Sequence, residues 1–182
     1  KKAIDSNVIF TLLAVGRLEP QKDYPNLLVA VKILINMGHN FKLMVVGDGA
    51  LQKDLLRLAA GFGINKKIEW LGIRHDIPEL MNQADMFVLP SAWEGLPLVL
   101  GEAMACELPI VSTDCGGAKE IVGDGEWLVE PKNPQALAEK IAYVMGLPKE
   151  ERHKIGWRNR QRIIKYYSLD AMYSNYKNLY GW

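Results

Sequence analysis

Four short, almost uninterrupted apolar runs punctuate the first half of the chain: Ile9 to Val15 (IFTLLAV), Phe41 to Val46 (FKLMVV), Ile68 to Leu71 (IEWL) and Met86 to Leu89 (MFVL). Runs of this length that do not alternate with polar residues mark strands buried on both faces, as in a parallel sheet. Between them apolar residues recur at helical spacing. The clearest case is Pro25 to Met37, where Leu27, Leu28, Val31, Leu34 and Ile35 share one face, and Leu51 to Ala60 and Ile77 to Asn82 follow. The alternation continues with a helix over Leu98 to Cys106, a strand over Pro109 to Ser112, a short helix near Lys119 to Val122 and a strand over Glu126 to Val129. This succession predicts an α/β fold: a Rossmann-like, doubly wound parallel sheet of about six strands with helices on both faces. From 132 to 182 the pattern is helical alone, over Gln135 to Met145, Lys149 to Tyr166 and Leu169 to Tyr180, which predicts a C-terminal helical tail. Pro148 suits the start of its middle helix and Ser168 the N-cap of its last.

A length of 182 residues suits one domain. A chain of this size buries roughly 70% of its unfolded surface, so it needs neither metal nor disulfide to fold. The charges almost cancel, with 22 Lys and Arg against 21 Asp and Glu, which removes any global electrostatic case for nucleic acid or an anionic membrane. An anionic ligand must therefore be held locally. The apolar runs stop far short of the roughly 18 residues of a membrane helix. Cys106 and Cys115 have neither C-x-x-C spacing nor a neighbouring His cluster, and read as reduced, structural residues of a cytoplasmic protein without a metal site. No secretory signal follows Lys1-Lys2, and the missing initiator Met suggests a chain cut from a longer one.

In an open parallel sheet, ligands bind beyond the carboxyl ends of the strands, where the strand order reverses. For the common order 3-2-1-4-5-6 that point lies between the first and fourth strands, followed here by Gly16 to Lys22 (GRLEPQK) and Pro90 to Pro97 (PSAWEGLP). The first loop supplies Arg17 and Lys22, the second Glu94 and a helix start; cations and free helix amides together suit phosphate oxygens. The helix opening at Pro97 is apolar on most sides yet carries Glu102, and a buried carboxylate needs a partner. Side chains on a helix lean toward its N-terminus, which aims Glu102 at the mouth of the crevice. The four charged residues could equally satisfy one another as ion pairs.

Other chemistries lack their signatures. No G-x-G-x-x-G or P-loop follows the first strand, and His39, His75 and His153 accompany no nucleophile elbow. His75, beside Asp76, reads as a surface cap residue. Gly47-Asp48-Gly49 is either a helix N-cap through Asp48 or a ligand contact. The basic stretch Arg152 to Lys165 reads as a solvated helix face.

These residues resemble the C-terminal, donor-binding domain of the retaining glycosyltransferases of family 4, which have the two-domain GT-B fold. The family's E-x7-E signature stands as EGLPLVLGE, Glu94 to Glu102, and its G-R-L-x-x-x-K as GRLEPQK, Gly16 to Lys22. VVGDG at Val45 to Gly49, IEWLGIRHDI at Ile68 to Ile77 and STDCGGAKEIV at Ser112 to Val122 agree as well. The resemblance covers essentially the whole chain. It implies a nucleotide-sugar binding domain over 1–182, with the N-terminal acceptor-binding domain outside this chain.

The resemblance also implies roles. Arg17 and Lys22, after Gly16, would hold the diphosphate, and Glu102 the ribose. Glu94 would be the catalytic residue addressing the transferred sugar, with Gly95 and Leu96 beside it. Amides at Leu98 and Val99 would cap the phosphates, the backbone at Ile73 and Arg74 would read the base, and Gly47 would line the site. The implied activity is transfer of a hexosyl-type sugar from UDP-sugar or GDP-sugar to a glycan or lipid-linked acceptor with retention, in cell-surface polysaccharide biosynthesis. No metal or other cofactor is expected, because Asp114 and Asp124 stand apart and form no D-x-D-like pair. Any membrane contact would come through the other half, at the inner membrane face. Pro97 departs from the family's usual Gly, and Glu107 from the Gly of A-C-G. Two alternatives share the pocket: a non-catalytic nucleotide-sugar binding module, and half of a sugar-nucleotide epimerase. The closing helix, with Met172, Tyr173, Tyr176, Leu179 and Tyr180 along one stripe, is expected either to cross onto the N-terminal half or to pack wholly on this domain's own helices.

Overall fold

The computed structural model describes residues 9–123 and 125–181; Lys1, Lys2, Asp124 and Trp182, which enter the sequence reading, lie outside them. Six parallel strands form one sheet in the order β3-β2-β1-β4-β5-β6. They are β1 (Phe10–Val15), β2 (Phe41–Val46), β3 (Ile68–Gly72), β4 (Met86–Leu89), β5 (Ile110–Thr113) and β6 (Leu128–Val129). The helices are α1 (Tyr24–Asn36), α2 (Gln52–Gly61), α3 (Ile77–Gln83), α4 (Leu98–Ala105), α5 (Ala118–Val122), α6 (Pro134–Gly146), α7 (Lys149–Tyr167) and α8 (Leu169–Tyr180). α1 packs on α2 and α6, while α4 packs on α3, α5 and α7, so the helices fall into two layers over the sheet. Every residue of β4 is at most 1% exposed, as expected of a central strand covered on both faces.

The long apolar strands match the sequence pattern closely. β6 is shorter than Glu126 to Val129 because only Ser112–Leu128 and Thr113–Val129 pair at this sheet edge. Two 3₁₀ turns, Pro20–Lys22 and Asn65–Lys67, have no periodicity to announce them. Asp48 is not the cap of α2; that place belongs to Leu51, and the Asp48 carboxylate instead accepts from the Gly49 amide at 2.7 Å.

The helices after Pro131 differ in how they are held. α6 buries Leu137, Ala138, Ile141 and Val144 and is part of the core. Asn133 caps it through the Ala136 amide. α7 lies across α4 at a close approach: a Cβ on Gly156 would stand 1.8 Å from the Glu107 carbonyl oxygen. Asn159 donates to the Leu108 carbonyl at 2.7 Å, and Arg162 Nε to Ile121 at 2.7 Å in the last turn of α5. A guanidinium there meets the orphan carbonyls and the negative end of the helix dipole. The basic stretch is mostly a solvated face, as its sequence predicts, with Arg152, Arg160 and Arg162 also bonding to the carbonyls of Leu147, Ala105 and Ile121. α8 is capped by Ser168, whose hydroxyl accepts from Ala171, but it buries no side chain.

Candidate functional site

The loops after the strands are clasped backbone to backbone on one side of the sheet. The Gly16 amide bonds to Val46, Leu18 to Asp48, Gly47 to Gly72 and Ala92 to Gln21, each at 2.8–2.9 Å. At two glycines of this rim the backbones approach too closely for a side chain. A Cβ on Gly47, where φ is +134°, would meet the Gly16 carbonyl oxygen at 2.0 Å, and one on Gly116 would meet the Glu94 carbonyl oxygen at 1.8 Å. The Gly117 amide completes the rim by donating to Gly95 at 2.7 Å.

At the reversal between β1 and β4, Lys22 and Glu94 come together. Lys22 Nζ lies 2.5 Å from Glu94 Oε1, with side chains only 15% and 7% exposed. The same oxygen accepts from Ser91 Oγ at 2.7 Å, and Oε2 accepts from Gln21 Nε2 at 3.1 Å. Ser91 is fully buried and is positioned from β5, where Thr113 Oγ1 donates to the Ser91 carbonyl at 2.6 Å. Glu94 is thus fixed by three donors from two loops. Tyr24, 2% exposed, donates its phenol to the Gly16 carbonyl at 3.2 Å, and burial pushes its pKa above the ordinary tyrosine value. Sequence reasoning missed Gln21, Ser91, Thr113 and Tyr24, whose roles come from folding and leave no motif.

Beside this pair, a cleft of about 560 Å³ runs across the ends of β1, β2 and β3. Gly16, Arg17, Gly47, Ile73 and Arg74 line it, so the structure gathers these five predicted residues in one place. Arg17 is exposed and has no hydrogen-bond or ion-pair partner among the described residues. Arg74 is tied to Asp76 through Nε at 2.8 Å, and this guanidinium holds the Asp76 carboxyl below its ordinary range. Glu19, not foreseen at the site, and Asp48, in the turn that the sequence offers as a helix cap or a ligand contact, also line the cleft and offer carboxylates to hydroxyl or N–H donors.

Glu102 is placed differently from the sequence expectation. It is exposed on α4, without a hydrogen-bond or ion-pair partner among the described residues, and Leu98 on the same face is 68% exposed. No buried carboxylate needs rescuing, because this face of α4 is uncovered in the chain. Glu102 borders an apolar groove of about 320 Å³ with Leu96, Leu98, Ile163 and Tyr167, and is not among the residues lining the β1–β3 cleft. The Leu98 amide already donates to the Leu96 carbonyl at 2.9 Å, while Val99 follows in the first turn of α4. Gly95 and Leu96 are exposed at the rim. Among the described residues, no three or more His, Cys, Asp or Glu side chains gather where they could hold a metal ion, and no helix is long and apolar enough to cross a membrane.

Comparison with known proteins gives the family of the chain. The profile of the glycosyl transferases group 1 matches residues 5–162. An Escherichia coli UDP-Gal:alpha-D-GlcNAc-diphosphoundecaprenol alpha-1,3-galactosyltransferase is 37% identical over 115 residues, covering 62% of this chain and 29% of that protein. The putative colanic acid biosynthesis glycosyltransferase WcaL of Salmonella typhimurium is 29% identical over 171 residues, covering 88% and 42%. The chain therefore spans less than half the length of these relatives. Among solved structures, Anabaena Alr3699/HepE in complex with UDP and glucose superposes with a TM-score of 0.77 at 30% identity, over 86% of this chain and 44% of that one. The C-terminal domain of the Francisella tularensis group 1 glycosyl transferase LpcC superposes with a TM-score of 0.78 at 24% identity, over 91% of this chain and 90% of that one. With the profile spanning most of the residues and the fold superposing over 91% of the chain, the chain belongs to the group 1 glycosyltransferases, family 4, as the C-terminal half of their GT-B fold.

Proposed function

We propose that this domain holds the nucleotide-sugar donor of a retaining hexosyltransferase-type enzyme, with the donor's nucleotide in the β1–β3 cleft and its sugar toward Glu94. The observation that carries this reading is the placement of Arg17, an unpaired guanidinium lining that cleft, next to the buried Lys22–Glu94 pair at the strand-order reversal. Breaking a sugar–phosphate bond leaves a diphosphate with growing negative charge, and preorganised cations stabilise it as it forms. Lys22 can serve two partners, since an ammonium carries three donors and Glu94 takes one. The Val99 end of α4 adds the positive end of a helix dipole. Glu94, held by Ser91 and Gln21, keeps a fixed orientation toward the transferred sugar. Glu102, exposed and unpartnered, is available to ribose hydroxyls if the donor extends over the rim toward α4. The base then lies against Ile73 and Arg74.

The whole protein would transfer the sugar to a glycan or lipid-linked acceptor held by an N-terminal domain, and the relatives' names support cell-surface polysaccharide assembly as the setting. We place it in the cytoplasm, where unpaired cysteines stay reduced, and expect α8 to dock on that N-terminal domain. This domain alone is expected to be inactive in transfer. Titration calorimetry with UDP, GDP and the matching nucleosides, with and without chelator, tests the reading. Arg17→Ala should weaken the diphosphate by about 10- to 100-fold and the nucleoside hardly at all, because it removes a charge-assisted contact to phosphate alone. Equal losses for both ligands, or binding abolished by chelator, would overturn it.

A further inference from the structure

A second pocket, of about 460 Å³, opens on the same side of the sheet but behind the Lys22–Glu94 pair, between the loops after β1, β4 and β6. Three features set it apart. Trp93 stands on its wall, 55% exposed, with no ring or cation stacked on it among the described residues. Asn26 lines its floor, is 6% exposed, and both its side-chain oxygen and nitrogen are buried without a partner. Buried amides are almost always bonded, so an orphan in a pocket wall points to a missing hydrogen-bonding group. Asp23 and Lys132, opposite in charge, also line the pocket, and both hold left-handed backbone with φ of +44° and +60°. Neither forms an ion pair among the described residues.

We infer that this pocket binds a pyranose ring, with one apolar face of the sugar on the Trp93 indole and its hydroxyls reaching Asp23 and, once its side chain turns toward the pocket, the Asn26 amide. The chemistry selects a carbohydrate. A concave site with a bare aromatic wall and a few convergent polar groups suits a ligand that is apolar on its faces and hydroxylated at its edge. A hydroxyl both donates and accepts, which matches an amide lacking both kinds of partner. A simple anion or cation fits less well, since Asp23 and Lys132 offset each other. Burial lifts the Asp23 carboxyl above its ordinary range, as befits a group partly shielded from water.

The position suggests which sugar. Trp93 directly precedes Glu94, and the backbone clasp of Ala92 to Gln21 fixes the loop that presents it. On the reading that Glu94 faces the transferred sugar, the pocket takes a residue of the acceptor glycan; the sugar pocket itself does not depend on that reading.

The test uses the 182-residue chain with indole N–H resonances followed by NMR, the Trp93 signal being assigned by its absence in Trp93→Phe. Methyl glucoside, methyl galactoside, methyl N-acetylglucosaminide and their disaccharides are titrated, and UDP is titrated separately. The expected result is a saturable shift of the Trp93 signal with at least one sugar, weakened about tenfold by Asn26→Leu and by Trp93→Ala as read on neighbouring amides. No saturable shift with any sugar, or a shift that both variants leave unchanged, overturns the pocket. Because Trp93 is exposed, Trp93→Ala keeps the test valid even where Asn26→Leu perturbs the fold. Failure of UDP to bind while sugars still do would count against the nucleotide reading alone.

Discussion

Replacing Lys22 by Met asks how far the Lys22–Glu94 contact belongs to the fold as well as to the site. The substitution keeps most of the aliphatic stem and removes the ammonium 2.5 Å from Glu94 Oε1. Glu94 then retains Ser91 at 2.7 Å and Gln21 at 3.1 Å, in surroundings that leave its side chain 7% exposed. Removing one partner of a buried pair costs about 3–5 kcal/mol. Two surviving hydrogen bonds to the carboxylate, in a pair that is not fully buried, hold the loss below that range, at about 2–3 kcal/mol. Glu94→Gln should cost less, about 1–2 kcal/mol, because a lysine on a flexible stem can lean toward water. With both charges gone no ion is stranded, so the double variant should lose about 1–2 kcal/mol, not the sum, a coupling of about 2 kcal/mol. Urea unfolding followed by far-UV circular dichroism gives all three values, urea being uncharged and leaving ion pairs unscreened. Lys22→Met within about 0.5 kcal/mol of the parent, or a double variant equal to the sum of the singles, would refute the reasoning.

Three further outcomes follow from the packing. Gly156→Ala should destabilise by about 1–3 kcal/mol despite alanine's better helix propensity, because its Cβ would meet the Glu107 carbonyl at 1.8 Å; Gly61→Ala, with nothing within 4 Å, should change stability by no more than about 0.5 kcal/mol on the same urea curves. Under native conditions a thiol reagent should modify partly exposed Cys106 first and reach Cys115, 4% exposed, only on unfolding; burial pushes both thiols up, and equal native rates would contradict this burial. Hydrogen exchange should be fast across Leu169 to Tyr180 in this chain, since α8 buries no side chain, and protection matching that of α7 would show that α8 needs no further surface.

The strands were legible in the sequence because a strand covered on both faces must be apolar throughout, as Met86 to Leu89 is. Strand order and reversal point followed from the usual topology, and with them the loops that carry Arg17, Lys22 and Glu94. Pairwise geometry did not follow. The sequence left open whether the four charged residues pair, and in the structure Lys22 and Glu94 do while Arg17 and Glu102 have no partner among the described residues. α4 is buried at Leu100, Ala103 and Met104 as its apolarity predicts, and departs on one face for a physical reason: apolarity at Leu98 announces a surface to be covered but not which chain covers it, and Leu98 is 68% exposed here. Asn26 gave no signal, since nothing in the composition of a helix's first turn foretells an unpaired amide.

The glycine clasp has a consequence for redesigning what such a domain accepts. Positions 47 and 116 admit no Cβ without displacing a neighbouring backbone carbonyl, so a library that varied them would consist mostly of misfolded members. Ile73, Trp93 and Leu96, at 69%, 55% and 46% exposure, stand on that frame with free surroundings, and exchanging exposed side chains of this kind usually alters stability by less than about 0.5 kcal/mol. The molecule thus separates the codons that must stay fixed from those that can drift. Substitutions can accumulate at the second group one at a time, without a compensating change elsewhere in the rim.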